Sequence, residues 1–187
     1  MTSPPLDCGA LLREQLDWHW DTQLRPRLDD LADEEYQWEP VPEAWNVRAR
    51  GTSGAPIQAG SGTFTIDFAY PEPRPAPVTT IAWRLGHLIV GCLAARNASH
   101  FEGPVADYDT WVYAGDAAGA LAQLDEQMAR WRTGVAALGP AGLSAPCGST
   151  EGPYAALPMA TLVLHINREI IHHGAEIALL RDLYAHR

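Results

Sequence analysis

Leu162-Val163-Leu164-His165-Ile166-Asn167-Arg168-Glu169-Ile170-Ile171-His172-His173-Gly174-Ala175-Glu176-Ile177-Ala178-Leu179-Leu180-Arg181 reads as one long helix with a single special face. At about 100° per residue, Leu162, His165, Glu169, His173, Glu176, Leu180 and Leu183 fall on one narrow stripe, apolar at both ends and ionisable in the middle. Side chains four residues apart project side by side, so Glu169 and His173 can chelate one cation, with His165 one turn before them. Pro158 suits the first turn of this helix, which is expected to run to about Leu183.

Working outward, three more helices are expected. Leu12, Leu16, Trp20, Leu24, Leu28 and Leu31 recur every three to four residues and mark a first helix over 6–31, with Pro26 kinking or interrupting it. A second helix starts at Thr79 or Thr80 as cap and runs to about Ala98, and a third starts at Asp116 and ends at Gly139-Pro140. Residues 48–77 fit no helical period, being rich in Gly and then Pro. Inside them Thr63-Phe64-Thr65-Ile66-Asp67-Phe68 alternates and suits a short hairpin. The expectation is an all-α four-helix bundle in one domain, 1–187, with an irregular insertion that acts as a lid, a dimer contact or packing over the bundle.

Composition narrows the function classes. A net charge of −10 repels phosphate backbones and anionic lipid headgroups, so neither nucleic acid nor a membrane is an expected partner. All 13 basic residues are Arg, which excludes Schiff-base and P-loop lysine chemistry. Cys8, Cys92 and Cys147 are odd in number and far apart, without CxxC spacing, which suits neither a disulfide framework nor a zinc ribbon. Met1 to Ala10 lacks a basic start followed by an apolar run, and the expected compartment is the cytoplasm.

Two ligands on one helix need a third from another. His87 lies on the second helix among Trp83, Val90, Gly91 and Ala94, and an imidazole there has no other evident purpose. His87, Glu169 and His173 would suit Zn or Ni with an open coordination position. His172 also reaches this face from Glu169 and is read as a pocket-wall residue; Trp83, His165, Glu176 and His19 complete the candidate pocket. The alternative reading makes His87 a hydrogen-bonded core histidine and pairs Glu169 with Arg84 or Arg168.

The stretches Thr80–Leu88, His165–Ile177 and Leu180–Tyr184, with Leu24–Leu28 and Glu34–Pro40, resemble the DinB-like superfamily over most of the chain outside 48–77. That resemblance implies an up-down-down-up four-helix bundle, commonly a homodimer, holding a divalent metal on three side chains. Many members use three histidines. Here Glu169 stands at one of those positions, which is similar to the His, Glu, His arrangement in the N-terminal domain of mycothiol-dependent maleylpyruvate isomerase. Carried over, the ligands are His87, Glu169 and His173. The activity implied is metal-dependent thiol S-transfer or a related small-molecule detoxification, with a low-molecular-weight thiol such as mycothiol or bacillithiol as cofactor. A second reading is a non-catalytic, stress-associated metal- or ligand-binding protein, whose coordination sphere His165 or His172 would close. A third is metal-dependent hydrolysis with Glu176 as base.

Overall fold

The computed structural model of the chain describes residues 6–187; residues 1–5, part of the segment read for a leader, lie outside it. Helix α1 covers 8–27, begun by the Asp7 carboxylate accepting the Ala10 N–H at 2.9 Å. Its turns widen to a π-helix over Trp20–Leu24 before Arg25–Arg27. The wide turn lies just ahead of Pro26, whose ring would otherwise meet the carbonyl four residues earlier. Thus Pro26 is accommodated without breaking the helix. The helix ends before the expected Leu31, since Asp30 takes a positive φ of 58° in the turn that follows. A single turn, α2 (Asp33–Tyr36), comes next.

An all-α fold needs one correction. Three short strands, β1 (Val47–Ala49), β2 (Ile57–Ala59) and β3 (Phe64–Phe68), form an antiparallel sheet in the order β1-β3-β2, with Val47 opposite Ile66 and Ile57 opposite Phe68. The alternating segment is therefore the central strand of a sheet. Two partners satisfy its backbone on both edges, which a lone hairpin would leave half unpaired. Ile66 is buried against the helix that carries Gly86, where a Cβ on that glycine would stand 3.0 Å from its Cδ1.

Helix α3 covers 81–100; Thr80 caps it by accepting the Trp83 N–H at 3.2 Å. Helix α4 (Ala117–Ala137) is capped by Asp116, which accepts the Gly119 N–H at 2.7 Å. The connection expected to be irregular after Gly139 contains α5 (Gly139–Ser144) and a 3-10 segment (Ser149–Tyr154). Helix α6 (Met159–Ala185) completes the chain, with Pro158 at its N-cap.

Helix α1 packs on α4 and α6, and α3 packs on the same two, so four long helices surround one core. Leu28, Leu85, Leu88, Leu93, Leu124, Trp131, Ile166 and Ile170 are fully buried there. A part-buried pair locks the C-terminal half of α6: Arg181 donates from Nε and Nη2 to the Glu35 carboxylate at 2.8 and 3.1 Å. The bidentate geometry fixes orientation as well as charge. No helix among the described residues is long and apolar enough to cross a membrane.

Candidate metal centre

Helices α3 and α6 face one another where His87 and the stripe of α6 meet. The His87 and His173 rings stand edge to face, 4.8 Å between centres. Glu169 Oε2 lies 3.3 Å from His173 Nε2, and Glu169 Oε1 lies 3.5 Å from His165 Nδ1. His87, Glu169 and His173, placed on two helices, are thus neighbours in space.

Each imidazole is oriented by its other nitrogen. His173 Nδ1 is 2.6 Å from Glu176 Oε2 and 3.2 Å from Arg84 Nη1, so a carboxylate and a guanidinium both meet this nitrogen. Its Nε2 faces the Glu169 carboxylate at 3.3 Å. Two acceptors at that separation repel unless a proton or a metal cation lies between them. His87 Nδ1 pairs with the Tyr108 hydroxyl at 2.7 Å, and its Nε2 points instead toward the Cys92 thiol at 3.6 Å. A carboxylate or hydroxyl behind a ligating imidazole is the usual support of a metal site.

The site's own electrostatics favour neutral imidazole at His87. Burial, then the adjacent His173, push its pKa down to about 4, with Glu169 opposing. Burial, aided by Glu169, pushes the Cys92 thiol up to about 12. Burial also lowers the Arg84 guanidinium, against the pull of Glu176.

The remaining expected residues divide into near and far. The Trp83 ring stacks on His87 at 5.7 Å while its Nε1 donates to the Asp67 carbonyl at 2.8 Å, tying the ligand helix to β3. Phe68 stacks on Trp83 and touches Tyr108, so the sheet forms a wall of the site. Glu176 forms an ion pair with Arg84 at 3.1 Å beside its hydrogen bond with His173, and Arg84 Nη1 also meets His173 Nδ1 at 3.2 Å. The His172 side chain is 64% exposed; it lies 3.4 Å from Glu176 and packs edge to face on the His173 ring at 4.9 Å. His19 belongs to α1, half-buried, and is in neither candidate ligand group.

Two residues of the candidate centre escaped the sequence. Ligand atoms of His87, Cys92 and Glu169 lie within 4.8 Å of one another; a second group joins His172, His173 and Glu176. Cys92 follows His87 by five residues, which on an α-helix places the two about 140° apart. Yet residues His87–Ala94 form a π-helix, closed by the Ala95 N–H donating to the Val90 carbonyl, and that wider turn brings the fifth residue round to the same side. Tyr108 comes from the loop after α3, and only Gly91 admits it: a Cβ there would collide with the Tyr108 hydroxyl. The adjacent pair Gly91-Cys92, four and five residues after His87, was the available signal.

A cavity of about 420 Å³ opens on this centre, lined by His87, Cys92, Tyr108, Arg96, His165 and Glu169. A larger one, about 620 Å³, lies against α4 around Phe101 and Arg130, away from these groups. The centre can therefore combine nitrogen and carboxylate donors with room for a small molecule.

A family model for the DinB superfamily matches residues 15–177 of the chain. No curated protein and no solved structure matches it.

Proposed function

The chain belongs to the DinB superfamily, and from that premise we propose that it is a divalent-metal-dependent thiol S-transferase, or a related detoxification enzyme, acting on small electrophiles. His87 through Nε2, Glu169 through its carboxylate and His173 through Nε2 would hold the cation. Zn and Ni both suit this nitrogen-rich set. When bound, the cation lowers the pKa of a coordinated thiol, so that the reactive thiolate is available near neutral pH.

The chain's own residues supply the rest. Glu176 holds the proton on His173 Nδ1 and so keeps Nε2 free to ligate. Tyr108 does the same service for His87. The 420 Å³ cavity offers space for a thiol cofactor of the mycothiol or bacillithiol type beside the electrophile, and Arg96 in its wall presents a cation to an anionic part of either. A homodimer, the up-down-down-up order of helices and a cytoplasmic location belong to the same reading.

One observation carries it: His173 Nε2 and the Glu169 carboxylate, 3.3 Å apart, converge with His87 at the edge of a cavity. The hydrolase reading is weaker by the same geometry, because the Glu176 carboxylate is already engaged by His173 and Arg84 and is no free base.

The test is metal content followed by thiol conjugation. The protein, purified without a histidine tag, is expected to hold about one equivalent of divalent metal and to conjugate mycothiol or bacillithiol to 1-chloro-2,4-dinitrobenzene. The His87→Ala and Glu169→Ala variants are expected to lose both. Conjugation unchanged in those variants would overturn the enzyme reading, and metal bound without any conjugation would favour the non-catalytic binding protein.

A further inference from the structure

Cys92 is the one thiol of the chain placed among the ligand atoms of the centre. Its Sγ lies 3.6 Å from His87 Nε2, while Glu169 Oε2 lies 3.3 Å from His173 Nε2. With zinc–nitrogen and zinc–oxygen bonds of about 2.1 Å and zinc–sulfur of about 2.3 Å, a tetrahedral ion separates its nitrogen and oxygen ligands by about 3.4 Å and its nitrogen and sulfur ligands by about 3.6 Å. Both observed separations match such edges; ligand atoms of His87, Cys92 and Glu169 lie within 4.8 Å of one another, and Glu169 links that group to His173.

We propose that Cys92 is the fourth protein ligand of the cation and occupies the position that an entering thiol takes. This inference rests on the reading that His87, Glu169 and His173 bind metal. The π-helix is what builds it: only the wider turn over His87–Ala94 brings Sγ to the imidazole's free nitrogen. His165 and His172, which the sequence offered for the closing position, are side chains 40% and 64% exposed, turned to Arg168 and Glu176 respectively.

Exchange balances without outside reagents. As the entering thiol forms its bond to the metal, the bond from Cys92 breaks, and the proton given up by the entering sulfur ends on Cys92 Sγ. The charge of the centre does not change, which removes an electrostatic obstacle to exchange in a half-buried site. Cys92 lines the same cavity as His87 and Glu169, so an entering thiol meets the metal from the side that Cys92 guards.

Cobalt(II) reads the donor set directly. Titrated into the metal-free full-length protein, it is expected to give visible d–d bands of a four-coordinate site together with a near-ultraviolet thiolate-to-cobalt charge-transfer band. Cys92→Ser and Cys92→Ala are each expected to keep the d–d bands and lose the charge-transfer band. A Cys8→Ser, Cys147→Ser double variant is expected to keep both. Adding 2-mercaptoethanol to the Cys92→Ala cobalt protein is expected to restore the charge-transfer band. Visible bands without charge transfer in the parent protein, or charge transfer surviving in the Cys92 variants, would overturn Cys92 as ligand while leaving the three-residue site intact. No restored band with 2-mercaptoethanol would overturn the exchange. No cobalt bands in the parent protein would overturn the metal reading itself and this inference with it.

Discussion

Helix α6 carries two carboxylate–histidine groups one to two turns apart, built from the same residue types and opposite in character. Around Glu169, a partner comes from a second helix, no arginine pairs with the carboxylate among the described residues, and a cavity adjoins. Around Glu176, Arg84 already neutralises the carboxylate at 3.1 Å, and His172 projects largely into solvent. A carboxylate held by a guanidinium has little left to offer a metal ion, and a solvated imidazole loses its hydration to no advantage. The difference teaches that ligand types in the right spacing make a metal centre only where no internal cation competes. His173 belongs to both groups, ligand candidate through one nitrogen and supported through the other.

Breaking the Glu169 side should have the largest effect. His87→Ala or Glu169→Ala is expected to abolish stoichiometric metal binding, measured by elemental analysis. Metal at a hundredfold excess over its Kd raises the stability of the parent protein by about 2.7 kcal/mol, a gain seen in thermal unfolding that both variants should lack. A variant still stabilised by metal would place the site elsewhere.

The Glu176 side should show its supporting role at an intermediate scale. Glu176→Gln keeps the side chain's shape and removes the charge that sets the His173 tautomer, so metal affinity should fall about 10- to 100-fold, measured by competition with a chelator. Unchanged affinity would mean that Nε2 is free to ligate without help from Glu176.

Gly91→Ala sharpens the comparison from the His87 end. The added methyl displaces the Tyr108 hydroxyl, and affinity should fall by about tenfold, as for loss of other outer supports, with a stability cost of about 1–3 kcal/mol from overpacking. Tyr108→Phe should match the affinity loss but not the stability cost. Equal affinity in all three proteins would show that Tyr108 merely packs.

His172→Ala is the smallest step. With its side chain 64% exposed, stability should change within about 0.5 kcal/mol and metal affinity should not change at all. A loss of metal here would reverse the ranking of the two groups.

Much of this was legible in residue order. The caps Thr80 and Asp116 start their helices where a hydroxyl or carboxylate followed by apolar periodicity says they should. Leu16, Trp20, Leu24 and Leu28 mark the buried face of α1, and Glu169 and His173 share a face of α6 because helical spacing leaves them no alternative. Residues 48–77 were legible only in part. Alternation within 63–68 reveals a strand, but the partners at Val47–Ala49 and Ile57–Ala59 are three residues long, too short to carry a pattern of their own.

Local order along the chain thus determined the helices, their caps and the presence of ionisable groups on one stripe of α6, since hydrophobic period and capping act over a few residues. Tertiary structure alone decided which of those groups stand free. Arg84 reached Glu176 and not Glu169 because of how α3 docks on α6, Tyr108 found His87 through a gap left by Gly91, and a π turn brought Cys92 to an imidazole from which regular α-helical spacing would have turned it away. Each depends on the relative placement of distant backbone segments or on a departure from the regular helix, and neither leaves a period in the sequence.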